Sequence, residues 1–515
     1  MPSIDSINLH PDTHPPSSLK SRTYDVICLG SGWAGRMIAM RCVAAGLSAL
    51  IVERELFGGD CPFWACVPSK ALLRPAEALN DSRHVGGARE RLTSPEVGVD
   101  AEAVFNRRDI FTAGWDDTKI LAPLVEAAGV HLVRGVGRIT GEKNVSVTLN
   151  AGRQKVQSVD LEARQAVAIC TGSEPIVPDI LGLAKAKAWT PREAASSSIA
   201  PKSLFIIGGG VVGAEMTATY QNLGSNVTLA SRSSEMLPSL DPEAGRIVRK
   251  KLESRGAQIL TSTTVNKVER KAPGDPVTIT LSSGSGERQV SAAEVLVATG
   301  RRAITGGLGL DRFGLDLKAL EAGMPIDVDE SLLVRGVSSN REAPWLYAAG
   351  DVNGRAMLTH TAKYHGRLAA NAIIARARGK FPKAPSYLDS FSASADQIAV
   401  PQVIFTDPQV ASVGLTHTAA KKAGRAVRVI EAPAETLGAR LHAEGYEAGW
   451  AQWVIEEGTG VLLGATFVGT QVADLLHAST VAIVGGLRVD QFVHAVPSFP
   501  TMSEVYLNLL DAAGL

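Results

Sequence analysis

The stretch GGDCPFWACVPSK (58–70) places two cysteines, Cys61 and Cys66, five residues apart behind a Gly-Gly turn. Two thiols that close can trade electrons as a pair, hold a metal, or serve as small hydrophobes. The compartment bears on the choice. The chain has only five cysteines in 515 residues: Cys28, Cys42, Cys61, Cys66 and Cys170. An odd, sparse set does not read as a secreted disulfide scaffold. No run approaches the roughly 18 apolar residues of a membrane-spanning helix. Residues 1–22 carry four prolines and neither an apolar core nor an Arg-rich helix, so they read as a disordered tail, not a targeting peptide. A cytoplasmic, reducing setting is expected. There a close cysteine pair points to catalysis or metal binding rather than to structure.

Charge and composition narrow the class further. Fifty-two basic residues balance 52 acidic ones, which removes the simplest argument for nucleic acid or an anionic membrane as partner. The basic run RIVRKKLESR (246–255) has Ile247, Val248 and Leu252 at helical spacing and reads as the solvated side of an amphipathic helix. The length suggests about three domains.

The elements around the cysteines are informative. TYDVICLGSGWAGRMIAMRCVAAGLSALIVERE, from Thr23, reads strand, glycine turn, helix, strand. Val26–Leu29 is short and apolar, as a buried parallel strand should be. Residues 36–45 continue as a helix that Gly46 ends, and Ala49–Val52 is the next strand. Gly30, Gly32 and Gly35 form G-x-G-x-x-G. The first allows the turn, the second lets backbone approach a pyrophosphate, and the third lets helix pack on strand. Glu53, 23 residues after Gly30, is placed to accept hydrogen bonds from a ribose 2′-OH. The unit recurs at 203–233 with Gly208, Gly210 and Gly213. Two such units imply two dinucleotides. The second strand here ends not in an acid but at Ser231 and Arg232, a pairing suited to a 2′-phosphate. NADPH is therefore favoured over NADH; an Arg232 that is merely exposed leaves the choice open.

Further strand ends carry small residues: AVAICTGSEP (166–175), EVLVATGRR (294–302) and WLYAAGDV (345–352). A strand closed by Thr-Gly passes very near a ligand or another backbone. From about residue 386 the texture becomes α+β with antiparallel strands.

In this order the motifs resemble the class I pyridine nucleotide-disulfide oxidoreductases, the family of lipoamide dehydrogenase, glutathione reductase and mercuric reductase. The resemblance spans about 23–510 and rests on Gly30–Gly35, GGDCPFWACVPSK, CTGSEP, GGGVVGAE, VATGRR, AAGDV, FTDPQVASVGLT and PTMSE. It implies an α/β fold with two Rossmann-like domains and an α+β C-terminal dimerisation domain. The expected division is a tail (1–22), an FAD domain (23–185), an NAD(P) domain (186–315), a central domain completing the FAD site (316–385) and a dimerisation domain (386–515). By the same resemblance Cys61 and Cys66 form a redox disulfide, Cys61 the outer thiol and Cys66 the one facing the flavin. Lys70 with Glu215 resembles the ion pair near flavin N5. Asp351, Thr171, Gly172, Ser173, Gly59, Gly137 and the run Met357, Leu358, Thr359 and His360 are implied FAD contacts, and Val265 and Gly300 further cofactor contacts.

A regular helix would separate the two cysteines by about 7.5 Å along its axis, beyond the reach of a disulfide. Pro62 suits the first helical position, and Pro68 is expected to break any long continuation, so a distorted first turn is needed. A helix N-terminus would also favour the thiolate.

The chain departs from the family pattern in two places. Asp60 stands where the family carries Thr, and Phe63-Trp64 where it carries Asn-Val. Asp60 is expected to raise the neighbouring thiol pKa; Phe63 and Trp64 either pack or wall the site. At the other end the family's H-P-T-x-S-E reads Phe499-Pro500-Thr501-Met502-Ser503-Glu504. A phenyl ring moves no proton, so a step worth about 10²–10⁴-fold is lost. His494 is the nearest substitute, or a plain surface histidine, and Glu504 loses its usual client. No cysteine follows Cys170, which disfavours mercury reduction. The resulting expectation is a homodimeric, FAD-dependent, metal-free NADPH oxidoreductase acting on a small molecule: a quinone, another electrophile or an unusual disulfide. A lipoamide- or glutathione-type reductase using His494, and a dinucleotide-binding flavoprotein with little turnover, are the alternatives.

Overall fold

The turn at Gly30 shows how the first unit is built. Gly30 has φ +109°, and a Cβ there would lie 2.2 Å from the Cys170 carbonyl oxygen. Only glycine lets strand Thr23–Leu29 turn so sharply past the end of strand Gln157–Ile169. The helix begins at once, at Trp33, and runs to Ala44, three residues earlier than the sequence suggested. The computed structural model describes residues 6–94, 98–149, 156–284, 286–337, 344–382, 386–444 and 449–515.

Five parallel strands form the heart of the first sheet, in the order His131–Arg134, Ala49–Glu53, Thr23–Leu29, Gln157–Ile169, Leu346–Ala348. The first half of Gln157–Ile169 also pairs antiparallel with Asn144–Leu149, which pairs with Val136–Gly141. Burial on both faces explains the near-continuous apolar runs. The second sheet is parallel, in the order Gln258–Leu260, Asn226–Ala230, Ser203–Ile207, Glu294–Val297, with helix Val211–Asn222 between its first two strands in sequence. The basic run lies on helix Pro242–Ser254, which buries Ala244, Val248 and Leu252 and leaves its arginines pairing with its own glutamates.

The chain crosses between the two units twice, at Ser173–Pro175 and Arg301–Ala303, and the crossings pair antiparallel. The two Thr-Gly strand ends lead into them. Gly300 (φ +118°) accepts the Ile176 N–H, so there the close neighbour is backbone. The last region is a five-stranded antiparallel sheet covered by helix Val472–Val484.

Residues 6–22 are not a loose tail. The His14 carbonyl accepts from Arg134 N, Thr13 accepts from the buried Arg134 guanidinium, and Ile7 and Leu9 pack on Phe63, Trp64 and Trp115. The apolar anchors are too few to stand out by composition; what holds them is a surface formed by distant segments. Among the described residues no helix is long and apolar enough to cross a membrane.

Candidate active site

Cys61 and Cys66 lie on either side of a helix break. Gly59 (φ +74°) caps the turn Asp60–Phe63, Ala65 is non-helical, and a new helix runs Cys66–Arg83. The break is at Ala65, not at Pro68. Pro68 is the third residue of the new helix, where no backbone N–H is needed, so it helps start the helix it was expected to stop. Pro62 is likewise the third residue of its turn, not the first. A Cβ on Gly59 would lie 2.8 Å from Gly32 Cα, which presses this loop onto the first glycine turn.

Both cysteines are thiols here, their side chains within hydrogen-bonding reach of each other. The Thr359 hydroxyl lies 3.0 Å from Cys66 Sγ. Thr359 opens helix Thr359–Ala377, which packs on Trp33–Ala44 at Gly366, where a Cβ would come 2.7 Å from the Ala34 carbonyl oxygen. Cys61 is pulled down to about 6, chiefly because the Cys66 S–H donates to its thiolate; Thr359, Trp33 and the Arg36 charge add to this against burial. Cys66 is pushed up, because its proton is held by Cys61 and it is buried beside a negative sulfur. The pair thus carries one proton between its sulfurs at neutral pH.

Asp60 does not raise Cys61 as expected. Its carboxylate is engaged by Arg192 at 3.1 Å and by Arg301. Arg301 also donates to the Ser173 hydroxyl at 2.7 Å, and Ser173 donates to Asp351 at 2.6 Å. Burial pushes the Asp351 carboxyl up, against that hydrogen bond. Arg192 belongs to no motif and Arg301 lies in VATGRR; the signal for their pairing was the unexplained acid at position 60 itself. Phe63 and Trp64 are buried, and the Phe63 carbonyl accepts from Trp115 Nε1 at 3.0 Å, so they pack under the loop, though Trp64 also borders the cavity.

One cavity of about 410 Å³ is lined by Gly30, Gly32, Glu53, Gly59, Cys61, Cys66, Lys70, Gly137, Thr171, Gly172, Ser173, Glu215, Asp351, Met357, Leu358 and Thr359. Lys70 Nζ donates to Glu215 Oε2 at 2.7 Å, and Glu215 Oε1 accepts the Phe405 N–H at 3.0 Å. This pair joins helix Cys66–Arg83 to helix Val211–Asn222 of the second unit. Glu53 is largely buried and accepts from Ser31 N (2.9 Å), the Ser31 hydroxyl (2.6 Å) and Glu55 N (2.9 Å).

Other expected residues lie outside the cavity. Gly35 is packed under the turn. Gly208, Gly210 and Gly213 open the second unit's helix. Ser231 is buried and accepts the Ser233 N–H, while Arg232 is exposed. Val265 is in the core beneath the three-stranded sheet, and Gly300 is at the crossing. His360 contacts the Pro401 carbonyl at 2.7 Å instead. His494 is exposed on the short helix Val489–His494, and the Phe499 ring is 70% exposed. Glu504 has a client after all: it accepts the Gly438 N–H at 3.0 Å.

Residues 24–366 match the pyridine nucleotide-disulphide oxidoreductase family, and residues 400–509 match its dimerisation domain. The chain belongs to this family. It is 32% identical to a dihydrolipoyl dehydrogenase of Thermus scotoductus, over 96% of this chain and 97% of that one. It is 33% identical to a mercuric reductase of Streptomyces lividans, over 93% and 94%. The fold matches that of the HOCl-induced flavoprotein disulfide reductase RclA of Escherichia coli, solved as a Cu(II) complex, with a TM-score of 0.78 at 21% identity over 95% of this chain and 99% of that one. Members are FAD-dependent oxidoreductases that use a pyridine nucleotide. The residues present fit both groups. A side chain on Gly32 or on Gly210 would meet nothing within 4 Å, leaving at each helix N-terminus the open cradle that a pyrophosphate needs.

Proposed function

We propose that this chain uses NADPH to reduce a small-molecule acceptor through the Cys61–Cys66 pair, in a homodimer. The observation that carries the reading is one cavity holding the first glycine turn, both thiols and the Lys70–Glu215 pair. FAD, when bound there, supplies the hydride acceptor for NADPH and returns an electron pair to the disulfide. The first turn and Thr171–Ser173 would hold that group, with Asp351, fixed by Ser173, beside them in the cavity. Lys70 is fixed by a buried carboxylate. Cys61 is the reacting thiol: its sulfur ionises first, while Cys66 keeps the shared proton. Net, NADPH, a proton and the oxidised acceptor give NADP⁺ and the two-electron-reduced acceptor.

The acceptor is a quinone, another electrophile or an unusual disulfide. Phe499 offers no proton acceptor, which disfavours acceptors whose exchange needs a base. Arg232 supports NADPH: it is exposed at the end of strand Asn226–Ala230, where a 2′-phosphate would lie.

The test is NADPH oxidation with a quinone, an aromatic disulfide, lipoamide and glutathione disulfide, in wild type and Cys61→Ser. Turnover of the aromatic disulfide is expected to fall more than about 100-fold in the variant, and lipoamide and glutathione disulfide to be poor in both. Cys61→Ser with undiminished turnover of every acceptor would overturn the reading.

A further inference from the structure

His365 is fully buried on helix Thr359–Ala377, outside the cavity, and no step above uses it. Its Nε2 lies 2.7 Å from Asp396 Oδ2. The Asp396 side chain is itself only 4% exposed, and its Oδ2 also lies 3.4 Å from Arg355 Nη1. Nδ1 faces the other way. It accepts the Gly350 N–H at 3.2 Å and lies 3.3 Å from Asn353 Nδ2. The Asn353 amide is oriented by its neighbours: Oδ1 accepts the Arg355 N–H at 3.1 Å, and Nδ2 donates to the Ala348 carbonyl at 3.2 Å. Two N–H groups therefore point at Nδ1, which leaves the ring proton on Nε2 for Asp396.

The turn on which this ring acts belongs to the site. Gly350 and Asp351 line the cavity. Gly350 has φ +84°, and a Cβ there would lie 3.3 Å from Ala362 Cβ and 3.4 Å from Ala34 Cβ, so the chain threads closely between helices Trp33–Ala44 and Thr359–Ala377. Its N–H finds its acceptor on the His365 ring rather than in a strand or helix. A buried N–H stripped of its acceptor is costly, and the turn that carries it is the part free to move. We propose that His365, oriented by Asp396, is a positioning residue that fixes the Gly350–Asp351 turn and thereby the wall of the cavity against which FAD binds. The proposal rests on the reading that Asp351 stands beside the bound FAD.

The turn is thus held from two sides. Ser173 donates to the Asp351 carboxylate at 2.6 Å, and six residues into the helix that packs behind it His365 takes the Gly350 N–H. The same helix begins at Thr359, whose hydroxyl lies 3.0 Å from Cys66 Sγ. One rigid element therefore meets the thiol pair at its first residue and the Asp351 turn through His365. Asp396 sets which nitrogen of the ring is free to accept, as a carboxylate behind a histidine does when it fixes the tautomer.

The experiment compares His365→Asn and His365→Gln as purified holoenzyme. The Asn oxygen sits where Nδ1 was, so it keeps an acceptor for Gly350 and loses Asp396. Gln reaches Asp396 and offers Gly350 nothing. Two quantities are read: the rate of FAD release on dilution, from the rise in flavin fluorescence, and amide hydrogen exchange across residues 346–353, by mass spectrometry. His365→Gln is expected to release FAD about tenfold faster than wild type and to speed exchange in that segment by a similar factor, the effect of one lost buried hydrogen bond. His365→Asn is expected to stay within about threefold in both. A merely structural role, tying the helix to Asp396, gives the opposite order, with Asn the worse variant. That order, or equal effects of the two, whether in release rate or in flavin retained on purification, overturns the proposal. Asp351→Ala is the control on the underlying reading. Wild-type FAD release in that variant fails the placing of Asp351 beside the flavin group, while exchange across 346–353 in His365→Gln still reports on His365 by itself.

Discussion

In the first nucleotide unit a Cβ on Gly30 would lie 2.2 Å from the Cys170 carbonyl oxygen; in the second, one on Gly208 would lie 2.3 Å from that of Ala298. The third glycines match as well: Gly35 would strike Gly30 O at 2.0 Å, and Gly213 would strike Gly208 O at 1.9 Å. The backbone device is the same twice. The strand ends differ. Glu53 is drawn inward by Ser31 and Glu55 N, whereas Ser231 turns in and Arg232 faces solvent. The comparison separates two jobs: glycines shape a cradle for any dinucleotide, and one or two side chains at the next strand end choose which.

The largest effect should come from the shared backbone. Gly35→Ala drives a methyl into the Gly30 carbonyl and is expected to cost at least the ~1–3 kcal/mol typical of overpacking, with little flavin retained. Gly32→Ala meets open space, so thermal unfolding of apoprotein should stay near wild type while FAD affinity falls. Equal instability of the two variants, read by thermal melts and flavin absorbance, would break the division between packing glycine and cradle glycine.

The strand-end contrast predicts the next effect. Arg232→Glu should lower kcat/KM for NADPH about 100-fold and leave NADH within about threefold. A uniform loss would show that Arg232 is not the selector.

Where the units meet, Lys70→Met leaves buried Glu215 with only the Phe405 N–H. The rate of flavin reduction by NADPH in stopped flow should fall about tenfold, with wild-type FAD content. An unchanged rate would confine this pair to structure.

The smallest effect is at the foot of the first sheet. Asp25 is held down to about 2, chiefly by Arg164, with Ser48 assisting. A depressed carboxylate stabilises the fold above its ordinary value near 3.8 and loses that contribution as pH falls toward 2. Arg164 is half exposed, so the contribution is at most about 1 kcal/mol. Asp25→Asn should lower thermal stability slightly at pH 7 and converge with wild type near pH 2.

Both glycine turns, their strands and the antiparallel C-terminal sheet were legible because each depends on local pattern. The cavity's lining was largely legible too, through motifs read in order. What was hidden depended on distant partners. Asp60 looked like an unpaired acid because Arg192 and Arg301 meet it only at the crossing. Pro68 read as a stop because its place relative to the helix start was set by the break at Ala65.

The most direct test of the central claim is an anaerobic titration of the holoenzyme with NADPH, following the flavin spectrum. The account predicts that two electrons per flavin leave the flavin oxidised and release two titratable thiols, mapped to Cys61 and Cys66, with full bleaching only after four. Full bleaching at two electrons, with no thiol released, would contradict it and make the Cys61–Cys66 pair a spectator.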